Sequence, residues 1–326
     1  MLIVFLIMGK IKYLLIILFT SFVYAETGGF AKNGDVEIYY IDYGPEEGTP
    51  VLLVQGLGGQ LTFWPNELIE MFKENGFRPI VYDNRDVGLS HSFEEYGKPN
   101  FVWNYIKFYL RLPINSVYSL TDMSNDGIAV LDELEIEKSH VLAQSMGGMI
   151  TQRMVADNND RFISYVLIAS MAETPNVNNS PKGELRDLIE NRSFEEQSIE
   201  ERVARSLRIF QILSSEGVVI DEDRFRAEAI KNIERSPNDS GFSRQLIAIL
   251  ADDNRFNEVK RISVPTLVIH GKLDPLVPFD EGKKTAESIP NSKFIAVEKM
   301  RHLIDEPVLE VIEDPLIEHL RNAEAN

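Results

Sequence analysis

One serine in this sequence sits where covalent chemistry is easiest to arrange, in the run Ala143-Gln144-Ser145-Met146-Gly147-Gly148. The preceding Ser139-His140-Val141-Leu142 reads as a short buried strand, and the residues after Gly147 carry a helical apolar pattern at Met149, Ile150, Met154 and Val155. A serine at such a turn is held in a tight backbone conformation with its hydroxyl exposed above a sheet. Small neighbours let the strand and helix approach closely. The pattern is G-x-S-x-G with Ala143 in place of the first glycine, a change small enough to fit. Serine hydroxyl is a poor nucleophile at neutral pH. It needs a base, a group that orients the base, and donors for the oxyanion that forms on attack.

Candidates for each part follow in the order Ser, Asp, His. Asp274 lies just past an apolar strand that ends His270-Gly271, where parallel sheets place functional groups. His302 follows the last strand, in Lys299-Met300-Arg301-His302-Leu303, and is the preferred base. His91 lies in a loop and is its rival, and Glu173 is the alternative acid. His140 and His270 lie within strands and His319 on the last helix, which predicts structural roles for them. The glycine-rich Gln55-Gly56-Leu57-Gly58-Gly59 follows the first parallel strand and suits close backbone approach to a substrate, with Gly56 and Gly58 as contact points. The oxyanion donors predicted here are the backbone N–H groups of Leu57 and Met146. The loop lacks the endings of a P-loop or dinucleotide fingerprint, which argues against nucleotide binding.

The elements that must position these groups alternate along the chain. Asn33-Gly34 predicts a two-residue hairpin. Apolar runs at 51–54, 79–82, 139–142, 165–169, 266–269 and 293–297 alternate with helical patterns, including 65–75 and 122–134. That alternation means a mostly parallel sheet with helices on both faces. Residues 171–254 break the rhythm with charged helical stretches, which predicts a helical cap inserted into a core formed by 26–170 and 255–326. The aromatic run 101–110 is apolar nearly all round as a helix, so most of it is expected in the core, with Trp103 offered as a wall of the substrate cleft.

Composition sets limits. A formal charge of −18 argues against a nucleic-acid partner, and the absence of cysteine excludes disulfides and thiol catalysis. Five scattered histidines without H-x-x-x-H spacing give no zinc site, so no metal is expected. Lys10 and Lys12, the apolar run 13–19 and Val23-Tyr24-Ala25 predict a signal peptide over residues 1–25, with Met8 an alternative start. Secretion or a periplasmic location follows. The alternative is an uncleaved anchor, the one case in which membrane contact is expected. Oligomeric state is not legible.

Taken together, these residues resemble the α/β-hydrolase superfamily over nearly all of the chain past residue 25. Besides the serine turn, Tyr82-Asp83-Asn84-Arg85-Asp86-Val87-Gly88-Leu89-Ser90 is similar to the D-x-R-x-x-G-x-S loop of capped members, and the segment Val264 to Asp274 resembles the one carrying the family's acid. The likeness is to the esterase branch typified by aclacinomycin methylesterase. It implies an α/β fold with an eight-stranded, mostly parallel sheet, a helical cap and a triad of Ser145, His302 and Asp274 that needs no cofactor. The implied activity is cleavage of small-molecule carboxyl esters through an acyl-enzyme. Aminopeptidase, lactonase or thioesterase action with the same triad is the alternative, and a non-catalytic binding module the more distant one. Gln55 stands where the family often has histidine, and Met300-Arg301 where glycine commonly precedes the base, so both loops are expected to pack differently.

Overall fold

The computed structural model describes residues 26–191, 198–237 and 240–325; the signal-peptide expectation for 1–25 therefore lies outside the described residues. The strands are β1 (Thr27–Asn33), β2 (Val36–Asp42), β3 (Thr49–Val54), β4 (Phe77–Tyr82), β5 (Ser139–Gln144), β6 (Phe162–Ile168), β7 (Thr266–Gly271) and β8 (Lys293–Val297). They form one eight-stranded sheet in the order β1-β2-β4-β3-β5-β6-β7-β8. β1 and β2 pair antiparallel, β2 is antiparallel to β4, and every pairing from β4 to β8 is parallel. The hairpin forms one residue later than the sequence suggested. Asn33 pairs with Val36, so the turn residues are Gly34 and Asp35, and Gly34 (φ 62°) takes the position that demands a positive φ.

The helices before the insertion are α1 (Asn66–Glu74), α2 (Phe101–Leu110), α3 (Leu120–Glu133) and α4 (Met146–Asp157). Between β6 and β7 come α5 (Gly183–Asn191), α6 (Ile199–Leu213), α7 (Glu222–Arg235), α8 (Ser240–Leu250) and the single turn α9 (Phe256–Val259). α10 (Phe279–Ser288) and α11 (Glu306–Glu324) close the core. Strand side chains alternate between two apolar layers. Leu52 and Val54 of β3 join the layer that holds Leu131 and Ile150, whereas Val51 and Leu53 join the one that holds Phe72 and Ile312. This is the period-2 consequence of burying both faces of a sheet. α3 starts where a capping box permits: Ser119 Oγ accepts from Asp122 N (3.1 Å) and Asp122 Oδ2 accepts from Ser119 N (2.8 Å).

The core expectation for residues 101–110 does not hold. In α2 only Phe101 is buried, while Val102, Trp103 and Leu110 are 57, 52 and 63% exposed. The helix lies outside the two apolar layers, against α8 on one side, and water meets the rest of its surface.

Two of the structural histidines load the fold with acid sensitivity. His140 is fully buried with Nδ1 2.7 Å from Ser164 Oγ, and His319 is buried on α11. Burial pushes both down to about 4; a nearby Glu324 partly opposes this at His140, and Lys293 adds to it at His319. An unfolded histidine titrates near ~6.5, so above that value neither state is protonated and the shift has no effect. As the pH falls from about 6.5 towards 4, the unfolded chain takes up protons that the folded chain refuses. Stability should therefore fall over that window, by on the order of 3 kcal/mol per histidine. Urea unfolding at pH 7.5 and 5.0 checks this, with His319→Gln expected to show the smaller drop; a midpoint that does not move between the two would contradict it.

Candidate active site

Ser145 joins the end of β5 to the first residue of α4 with φ 56° and ψ −122°, a backbone region that side chains other than hydrogen rarely occupy. Its surroundings determine that conformation. The Ser145 N–H donates to Ile168 O (3.0 Å), and its own carbonyl accepts from Ser170 Oγ (2.8 Å) and Gly148 N (2.9 Å). A Cβ on Gly147 would stand 2.0 Å from Val54 O, and one on Gly148 would stand 2.3 Å from Leu167 Cδ1. Both glycines are thus required by the approach of α4 to the sheet. Ala143 fits the first glycine's place without exposure.

The candidate acid and base follow β7 and β8. Asp274, beyond β7, is held at Oδ1 by the N–H groups of Leu276 (2.8 Å) and Val277 (2.9 Å). Its Oδ2 lies 2.8 Å from His302 Nδ1. An ionised carboxylate only accepts, so Nδ1 donates and Nε2 of His302 keeps its lone pair. The Asp274 side chain is wholly buried and His302 nearly so. The histidine loop is fixed from two directions. Gln144 Nε2 donates to His302 O (2.9 Å) from beside Ser145, and His302 N donates to Leu213 O (3.0 Å) at the end of α6. The Met300-Arg301 departure has a visible effect: Met300 is buried and Arg301 donates to Ile212 O (3.0 Å), tying the loop to the insertion.

His270 is the neighbour that sequence reading left out of the site. It is fully buried, and its Nε2 donates to Val277 O at 3.0 Å and stands 3.5 Å from Asp274 Oδ2. Burial lowers its pKa, more than Asp274 raises it. Gly282 packs directly on the ring, where a Cβ would come within 2.0 Å of Nδ1. The rivals go elsewhere. Glu173 bonds Lys284 (2.7 Å) on α10. His91 donates its backbone N–H to Glu37 O (2.8 Å) beside β2, three strands from β5.

The glycine loop after β3 has most of its N–H groups in use. Gly56 N donates to Gln55 Oε1 (2.8 Å), Gly58 N to Gln245 Oε1 (2.8 Å) of α8, and Gly59 N to Gly56 O (3.1 Å). Among the described residues, no hydrogen bond is recorded from the N–H of Leu57 or of Met146, the latter a first-turn orphan of α4. Gly56 lies against the serine, with a Cβ there 3.1 Å from Ser145 Cβ. Gly58 (φ 67°) packs under Phe242 of α8. Asn84 Nδ2 braces the loop through Gln55 O (2.9 Å), and Gln245 Nε2 reaches Arg85 O (2.8 Å). Trp103, by contrast, faces outward beside Lys107, whose Nζ lies 5.9 Å from its ring centroid.

Residues 49–304 match the model of the alpha/beta hydrolase fold family, and the chain belongs to that family. Among curated proteins it is similar to rhodomycin D methylesterase of Streptomyces peucetius, 24% identical over 89% of this chain and 97% of that protein. It is also similar to the bifunctional esterase/perhydrolase of Acinetobacter calcoaceticus, 26% identical over 89% and 98%. Among solved structures, an esterase from Exiguobacterium antarcticum superposes with a TM-score of 0.69 at 21% identity, covering 90% of this chain and all of that one (100%), a likeness of fold.

The strain at residue 145 is measurable. Ser145→Gly relieves the positive φ and Ser145→Ala keeps it, so the glycine variant should be the more stable of the two by about 1 kcal/mol. Denaturant midpoints of the two variants make the comparison; equal midpoints would mean that the turn carries no strain.

Proposed function

We propose that this chain is a serine hydrolase that cleaves small-molecule carboxyl esters through an acyl-enzyme. The observation that carries the reading is the 2.8 Å Asp274–His302 hydrogen bond, made on a loop that Gln144 ties directly to the Ser145 turn. The esterase names of the two curated relatives support it.

In this mechanism His302 Nε2 takes the Ser145 hydroxyl proton as Oγ attacks the ester carbonyl. Asp274 holds the ring in the tautomer that leaves Nε2 basic and stabilises the imidazolium that forms. The N–H groups of Leu57 and Met146 receive the oxyanion, the latter aided by the positive end of α4. His302 then returns its proton to the departing alcohol. In the second half, water gives a proton to His302 as its oxygen attacks the acyl carbon; the C–Oγ bond then breaks, His302 returns that proton to Ser145 Oγ, and the acid leaves. The helices between β6 and β7 serve as the cap, bounded by 171 and 254. Residues 1–25 serve as a signal peptide that directs the protein out of the cytoplasm. For the aminopeptidase alternative three cap acids, Glu184, Asp187 and Glu190, could hold a substrate amine; Glu184 is paired with Arg208 (2.6 Å) and Glu190 with Arg186 (2.7 Å), which leaves the exposed Asp187 as the one that reading would use.

Two experiments test the reading. A fluorophosphonate probe should label the wild type on Ser145 and leave Ser145→Ala unlabelled, with ester turnover in that variant down by on the order of 10⁴-fold or more. A folded wild type that resists saturating probe would sink the proposal. Gln245 is a positioning residue, because its amide fixes Gly58 and so aims the adjacent Leu57 N–H. Gln245→Leu should lower kcat by roughly 10-fold or more with little change in KM, short of the ~10²–10³ typical of losing a donor outright. Gln245→Glu, which keeps an acceptor for Gly58 N but loses the donor to Arg85 O, should recover only part of the loss. A change confined to KM would argue against this role.

A further inference from the structure

We propose that α2 docks this protein on the surface of a phospholipid bilayer carrying anionic headgroups. Surface helices normally turn their apolar side inward, and α2 does the reverse. Val102, Ile106 and Leu110, at i, i+4 and i+8, form an outward ridge and are 57, 42 and 63% exposed. Trp103 (52%) and Tyr109 (49%) flank that ridge. The inner side is supplied by Phe101, which is buried, and by Tyr105, whose hydroxyl bonds Glu190 of α5. Val102, Tyr105, Ile106, Tyr109, Leu110 and Glu190 line an open, almost wholly apolar hollow of about 460 Å³. A contiguous apolar face of this kind marks a contact with something other than water.

Charge decides what that contact is. The chain carries a formal charge of −18, yet residues 96–121 hold no aspartate or glutamate and include Lys98, Lys107 and Arg111. Trp103 and Lys107 share the i, i+4 ridge beside the aliphatic one, and Arg111 caps the C-terminal end of α2 in a left-handed conformation (φ 54°), so cations stand beside the apolar face and at its end. Aliphatic residues in the middle, Trp and Tyr at the sides and Lys or Arg at the edge are the make-up of a helix lying in a membrane interface. The aliphatic ridge enters the acyl boundary, the aromatic rings lie at headgroup depth, and the cations meet phosphate. Two copies joined through this face would instead bring Lys107 and Arg111 of each together, and the one acid lining the hollow, Glu190, is already paired with Arg186 and bonded by Tyr105.

α2 packs on α8, whose Phe242 covers Gly58 of the glycine loop. Docking through α2 therefore turns the side of the molecule that carries the insertion toward the lipid.

Trp103 reports the contact directly, because the second tryptophan, Trp64, is buried at 4% exposure. The full chain is mixed with vesicles of phosphatidylglycerol and phosphatidylcholine, with and without bromine on the acyl chains. Expected are a blue shift of the emission, quenching by the brominated lipid, weakening at high salt, and loss of all three in Ile106→Glu/Leu110→Glu. Trp103→Phe should remove the shift and so assign it. Both altered sites are exposed, and near-UV circular dichroism verifies that the variant is folded. Emission that stays unchanged overturns the proposal, whether the chain floats with the vesicles through another segment or fails to bind. A shift that depends on protein concentration and needs no vesicles overturns it in favour of a second copy.

Discussion

The rest of the site depends on one constraint, the closeness of α4 to β3 at Gly147. With its Cα against Val54 O, the helix can begin at Met146 only if residue 145 takes a positive φ. Four hydrogen bonds to the backbone of Ser145, from its N–H to Ile168 O and to its carbonyl from Ser170 Oγ, Gly148 N and Met149 N, then hold a conformation the residue would not choose alone. The strain has chemical consequences. Residue 145 stays partly exposed between a buried strand end and a buried helix start, and the next residue, Met146, carries a first-turn N–H that the helix itself leaves unpaired. A relaxed turn would bury the serine or point the helix elsewhere.

A second set of interactions fixes the insertion relative to this turn, and it is polar rather than apolar. Arg235 of α7 reaches the buried Asp83 (2.7 Å), and Arg244 of α8 pairs with the equally buried Asp86 (2.7 Å). Burial raises the Asp83 pKa, against the pull of Arg235 and of the Leu61 and Leu89 N–H groups that the same carboxylate accepts. Buried pairs of this kind add little net stability, because desolvation offsets their attraction, but breaking one leaves an uncompensated charge worth about 3–5 kcal/mol. They therefore select one placement of α7 and α8. Through Gln245 and Asn84 that placement extends to the glycine loop. The geometry of the N–H at Leu57 is thus set partly by residues nearly two hundred positions away in the chain.

The distances explain what the sequence could convey. Ser145, Asp274 and His302 stand out in the sequence because each follows an apolar strand run, and parallel sheets collect such strand ends on one edge; the structure pairs the last two. The two glycines after Ser145 were legible because close backbone approach admits little else. Gln245, Arg235 and His270 were not. A glutamine or arginine on a charged helix looks the same whether it faces water or a buried carboxylate, and His270 differs from a core histidine only by the loop that folds back on it. The one-residue shift of the hairpin came from Gly34, whose φ outweighed the preference for Asn33 as a turn residue. α2 was misplaced for a related reason: hydrophobic periodicity tells which face is apolar and says nothing of whether protein covers it.

The pairing of two histidines with one carboxylate shows how burial divides the work. Asp274 Oδ2 lies within reach of both His302 and His270, so its charge could in principle be shared. Burial resolves the competition. His270 is sealed beneath Gly282 and commits its Nε2–H to Val277 O, and desolvation opposes its protonation. It can shape the Asp274 loop, and the carboxylate's pull on its proton is outweighed by burial. His302 has the shorter contact and a ring nitrogen still free to exchange a proton. The field of Asp274 is therefore directed to His302, and His270 braces the same loop from behind through Val277 O.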